Sequence, residues 1–153
     1  MKRAEQREWL MKLVYQTQLE EEHADRIDRL LEQYELNDRF PYIKDSLLSL
    51  YDHKEKIDEL ISDNLTNWTL DRLLRIDLAI LRLAVNEMCF TQFAPVRVVI
   101  NESVELAKNY SDENSYRFIN GVLSSVAKQC AQDDSRTEAE KKKIAEESKD
   151  GIA

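Results

Sequence analysis

The stretch Leu73–Phe90, LLRIDLAILRLAVNEMCF, decides the fold. Between Ile76 and Phe90 its strongly polar residues are Asp77, Arg82, Asn86 and Glu87. Leu74, Leu78, Leu81, Val85 and Met88 recur at steps of 4, 3, 4 and 3, which is one helical face. Ile76, Ile80, Leu83 and Ala84 cover much of another face. A helix that is apolar most of the way round belongs inside a bundle, with other helices packed around it. It is too short and too often interrupted by charge to span a bilayer. The stretch therefore predicts the central post of a small all-α domain.

The rest of the 153-residue chain agrees. That length suffices for one domain with a real core. Only 2 Gly and 2 Pro occur, and turn clusters with period-two alternation are missing, so strands are not expected. The 2 cysteines, Cys89 and Cys130, belong to no CxxC or Cys/His ligand set, so reduced thiols are expected rather than a zinc site or a disulfide framework. The charged N-terminus has no apolar run after it, so no signal peptide is expected, and a cytoplasmic protein is. A net charge of −8 argues against non-specific coating of nucleic acid. It leaves room for a local basic patch that grips a short strand.

In chain order, residues 2–19 predict an amphipathic helix with Trp9, Leu10, Leu13 and Val14 inward. Lys2, Arg3, Arg7 and Lys12 face Glu5 and Glu8, a local positive excess. Arginines at a helix start oppose the helix dipole, a hint that they serve a partner. Glu20 and His23 have the spacing of a carboxylate-bridged ligand pair, but no second Glu-x-x-His exists, so a solvated turn is expected and no metal. Further helices are expected over 24–36 and 41–63, the latter with Pro41 in its first turn. Trp68 reads as a core plug, and Thr69 as the cap of a short helix through Leu74. Pro95 opens the next helix, with Val96, Val99, Ile100, Val104 and Ala107 inward. Ser115 caps the last, which buries Ile119, Val122, Leu123 and Val126. Gly121 sits inside that helix, where it suggests close packing against a neighbour. These segments amount to about seven helices. The domain is expected over 1–132, followed by a flexible charged tail over 133–153 that lacks large apolar anchors.

Three blocks in this order carry a resemblance. They are Asn67-Trp68 with Arg72-Leu73 and IDLAILRLAVNE, then Pro95 with VVINESVELAK, then SYRFINGVL. With the first helix reading REWLMKLVYQ, the chain resembles the NusB family of transcription antitermination factors over roughly residues 3–130. The resemblance implies an all-helical bundle of two subdomains. It implies binding of single-stranded boxA RNA together with the ribosomal protein that acts as NusE. The assembled complex would include other Nus factors and RNA polymerase, and would promote read-through of ribosomal RNA operons. No cofactor is implied.

Carried over by position, the RNA-binding residues would be Lys2, Arg3, Arg7, Ser115, Arg117 and Phe118. Arg7 stands directly before the Glu of the family's RE block, and Phe118 is the aromatic before x-N-G. Ala4, Glu5 and Gln6 stand where the family is often basic, and Asn114 where it is often acidic. The partner-binding residues would be Asp77, Arg82 and Asn86, although Leu78 replaces a frequent base and Asn86 a frequent aromatic. Chemically, aromatics stack on unpaired bases and arginines hold phosphates. The four residues Arg3, Arg7, Arg117 and Phe118 are expected to form one patch, with the N-terminal ends of the first and last helices close together.

No Ser/His/Asp or Cys/His set, paired buried carboxylates or phosphate loop is evident, so an enzyme is not expected. The alternative is a NusB-like protein–protein module without its own RNA site, of the kind that precedes a ribosomal RNA cytosine methyltransferase; no methyltransferase half is recognisable here.

Overall fold

The computed structural model describes residues 1–18 and 24–133. Among them are seven α-helices and no strand. The helices are α1 (Arg3–Thr17), α2 (Ala24–Gln33), α3 (Pro41–Asp52), α4 (Lys54–Asp63), α5 (Arg75–Asn86), α6 (Val96–Tyr110) and α7 (Ser115–Asp133). The all-α bundle is the one the apolar patterning dictates. Every residue from Ala79 to Asn86 of α5 is buried, and α1, α3, α4, α6 and α7 all pack on it. One apolar core runs from Leu10 in α1 to Val126 in α7 and passes through α5, which serves both halves of the chain.

Side-chain contacts set the helix directions. Arg7, near the start of α1, meets Glu87 beyond the end of α5, whereas Gln18 after α1 donates to the Arg75 carbonyl at the start of α5. Helices α1 and α5 are therefore antiparallel. Ser115 at the head of α7 bonds Asp77 at the head of α5, and Cys130 near the other end joins Cys89, so α5 and α7 run parallel.

Several local expectations are corrected. The helix expected over 41–63 is broken at His53, whose ψ of 14° departs from the helical value. Its ring stacks on Phe90 at 4.2 Å, and its Nδ1 lies 2.8 Å from the Ser49 carbonyl oxygen. The helix over Leu70–Leu74 shrinks to a 3-10 turn, Leu70–Arg72, and the Thr69 hydroxyl bonds the Asp71 carboxylate instead of capping a backbone amide. Trp68 is no core plug: it is 54% exposed, directly after Asn67 in the left-handed region at φ 64°. Asparagine is among the few residues that tolerate that conformation. Helix α5 ends in a π-turn, Glu87–Thr91, closed by Gln92 at φ 55°. Gly121 meets no heavy atom within 4 Å of an added Cβ, so it does not mediate close packing.

The cysteines also differ from expectation. Cys89 and Cys130 form a disulfide, with Cα atoms 5.9 Å apart. They are 41 positions apart in sequence, but the parallel course of α5 and α7 brings both to the same end of the bundle. The Glu20–His23 pair, and the tail after Asp133, lie outside the described residues.

Candidate nucleic-acid interface

At one end of the bundle, the start of α1 stands over α3. Lys2 is exposed, and the Arg3 guanidinium lies 3.9 Å from the centroid of the Tyr42 ring, close enough for a cation–π contact. Arg7 is different, because it is buried. Its Nη2 donates to Glu87 Oε2 at 2.8 Å, and the two side chains are 7% and 3% exposed. The Tyr42 hydroxyl donates to the other oxygen of Glu87. Burial, the largest single influence, lowers the basicity of Arg7, but the Glu87 charge, the Tyr42 phenol and the hydrogen bond to Glu87 together outweigh it, and the guanidinium is held more firmly protonated than usual. Burial, then the Glu87 charge, push the Tyr42 phenol well above its ordinary value. Both groups therefore keep their protons throughout the physiological range. Arg7 thus anchors α1 to the end of α5 and presents little charge to solvent.

At the opposite end, the loop between α6 and α7 closes over the head of α5. Asp77 is 5% exposed, and its two oxygens accept from Ser111 Oγ at 2.6 Å and Ser115 Oγ at 3.0 Å. Ser115, the first residue of α7, thus ties that helix to α5 through its hydroxyl. Three residues on, Phe118 packs partly against the core and partly lines a cavity with Trp68 and Leu74. Arg117 is exposed and donates from Nε to the Tyr116 hydroxyl at 3.0 Å.

The two ends are not adjacent. Arg7 contacts Glu87 and Ser115 contacts Asp77, ten residues apart along α5 and hence roughly 15 Å at the helical rise. The N-terminal ends of α1 and α7 lie at opposite ends of the post, so Arg3 and Arg7 are not brought beside Arg117 and Phe118.

What lies toward that second end is a pair of cation–aromatic clusters that the sequence reading missed. Trp9 packs against Tyr34 at 5.4 Å between ring centroids. The Lys12 ammonium sits 6.0 Å from the Trp9 ring and 5.5 Å from that of Tyr110 at the end of α6. Lys108 lies 5.1 Å from the Tyr116 ring, and Arg117 5.5 Å from the same ring. Lys12, Lys108, Tyr110 and Arg117 are exposed, and Tyr15 on α1 is 47% exposed. The cations and rings form two clusters, Trp9–Lys12–Tyr110 across α1 and α6 and Lys108–Tyr116–Arg117 across α6 and α7, which together make a discontinuous stripe ending on the helix that carries Phe118. Each helix taken alone shows only a solvated lysine or tyrosine; the clusters exist only once three helices are packed.

Arg82 and Asn86 are held inside. Arg82 forms a two-toothed ion pair with Asp58 of α4, Nε to Oδ1 at 2.8 Å and Nη2 to Oδ2 at 3.0 Å. Asn86 is fully buried, donating to the Ser46 carbonyl and accepting from Ser49 Oγ. Asp77, Arg82 and Asn86 each brace α5 against a neighbour. Among the described residues no group of three His, Cys, Asp or Glu side chains could hold a metal ion, and no helix is long and apolar enough to cross a membrane.

Comparisons with known proteins agree with this architecture. Residues 4–128 match the model of the NusB family. The transcription antitermination protein NusB of Acetivibrio thermocellus is 45% identical over 130 residues, covering 84% of this chain and 90% of that protein. That of Listeria welshimeri is 40% identical over 127 residues, covering 83% and 97%. Among solved structures, NusB of T. maritima superposes with a TM-score of 0.74 at 30% identity, over 94% of this chain and all of the other. A crystal structure of the antitermination factors NusB and NusE in complex with double-stranded RNA gives 0.72 at 28% identity, over 83% and 96%. Both curated relatives are transcription antitermination proteins. By sequence and by fold alike, this chain belongs to the NusB family.

Proposed function

We propose that this protein is a cytoplasmic transcription antitermination factor that binds single-stranded boxA RNA together with the ribosomal protein acting as NusE. With other Nus factors and RNA polymerase, the complex promotes read-through of ribosomal RNA operons. The observation that carries the RNA part is the stripe of cations and aromatics over α1, α6 and α7. Bases stack on exposed rings while lysine and arginine hold phosphates, and this works on a protein of net charge −8 because the grip is local. Arg117 and Phe118 stand at one end of the RNA path, while Lys2 and Arg3, at the far end of α1, offer a separate phosphate contact. Arg7 and Ser115 support the path by fixing α1 and α7. Asp77, Arg82 and Asn86 support the protein-partner surface in the same way, by setting the position of α5.

The test is a titration of boxA-like RNA, single-stranded and as a hairpin, with and without the ribosomal protein. Binding of the single strand, strengthened by the partner, supports the proposal. Partner binding with no RNA binding in any arm would leave a protein–protein module.

A further inference from the structure

A cavity of about 650 Å³ opens beside the RNA stripe, at the head of α5. Its walls include Trp68, 54% exposed, Leu74, 46% exposed, and the half-buried Phe118. Seven large apolar side chains are exposed among the described residues, and Trp68 and Leu74 are the two of them that share the wall of one cavity. The rim carries the exposed carboxylates of Asp112 and Glu113 against one guanidinium, that of Arg72. Asp77 also lines the cavity, but its oxygens are already engaged by Ser111 and Ser115.

We propose that this cavity takes one unstacked RNA base between Trp68 and Phe118, and that Asp112 and Glu113 select a base bearing an exocyclic amine. The inference rests on the RNA reading above. Aromatic walls suit any base, because every base has a π-face. The charge on the rim decides which part of the nucleotide enters. Carboxylates repel phosphate, so the backbone stays on the basic stripe with Arg117 and the base turns inward. Ionised carboxylates only accept hydrogen bonds. Cytosine and adenine offer an amino group that donates, whereas the corresponding edge of uracil offers a carbonyl that accepts. The site should therefore prefer cytosine or adenine to uracil.

The experiment uses the full chain with six-nucleotide oligomers of cytidine, adenosine and uridine. Binding is followed by anisotropy of labelled oligomers for every variant, and the difference in tryptophan fluorescence between wild type and Trp68→Phe isolates the Trp68 signal. Cytidine and adenosine oligomers should bind roughly 5- to 150-fold more tightly than uridine, the range of a good base-edge contact. Trp68→Ala should weaken the cytidine oligomer by a similar factor, the range of one stacked base, and leave the salt dependence alone. Asp112→Asn with Glu113→Gln removes two negative charges and so strengthens all three oligomers; the ratio of cytidine to uridine binding should nevertheless collapse toward one. Trp68 is exposed, so its alanine variant should fold, and circular dichroism checks this. If RNA binds but Trp68→Ala has no effect, or the three oligomers bind alike, the base pocket is wrong while the RNA reading stands. If neither these oligomers nor boxA-like RNA bind the wild-type chain, the RNA reading itself fails.

Discussion

Replacing Arg7 by methionine should destabilise the fold rather than weaken RNA binding directly. The side chain is 7% exposed and pairs at 2.8 Å with a carboxylate that is 3% exposed. Removing one partner of a buried pair strands the other charge, at a cost of about 3–5 kcal/mol. For a domain of this size that is a drop of roughly 6–20 °C in Tm. The cause is the stranded Glu87, so a second change should recover much of the loss. In Arg7→Met with Glu87→Gln no charge is left stranded at this site, and the glutamine carbonyl still accepts from Tyr42. Urea unfolding followed by circular dichroism gives the three free energies. The double variant should be clearly more stable than Arg7→Met alone. Below the unfolding midpoint, folded Arg7→Met should bind RNA with the wild-type salt slope. A single variant of unchanged stability, or a slope reduced by one phosphate contact, would refute the anchoring role and return Arg7 to the RNA surface.

Three further outcomes follow from the same structure. Gly121→Ala should stabilise α7 by up to ~1 kcal/mol, because the position is helical and an added Cβ meets nothing; a loss measured by urea unfolding would mean an unrecognised contact. Reducing the Cys89–Cys130 bond, or Cys130→Ser, should cost about 2–4 kcal/mol, since the bond closes a loop of some 41 residues; equal melting with and without dithiothreitol would show that the bond contributes nothing. Phe118→Ala should weaken RNA binding by ~1–3 kcal/mol without changing its salt dependence, as loss of a stacking surface does; normal affinity in binding titrations would confine Phe118 to the core.

The fold was legible because α5 has no polar face. A helix with Ile80, Leu81, Leu83, Ala84 and Val85 in sequence can only be surrounded, and once it is central the other stripes have one place to go. The site was less legible. Arg7 precedes Leu10 by three positions and Val14 by seven, which places it on the buried stripe of α1; that spacing was a usable sign that its charge is paired inside. Asn86 and Arg82 lie on a helix without an outward face for the same reason. Trp68 gave no such sign, because an aromatic before a helix is equally compatible with a plug and with an open wall. The lysine–tyrosine stripe and the Cys89–Cys130 bond depend on which helices lie side by side and in which direction, and no local spacing encodes that.

In the proposed function, a local basic and aromatic stripe on an acidic protein grips a single strand of RNA. The most direct measurement is the affinity for single-stranded boxA-like RNA at several salt concentrations, for wild type and for Lys12→Ala with Arg117→Ala. About two to four phosphate contacts give the wild type a log–log slope between roughly −1.4 and −2.8. The double variant should lose affinity and make the slope shallower by about 1.4, two contacts' worth. Unchanged affinity and slope in a folded double variant would contradict the claim and move the RNA to another face.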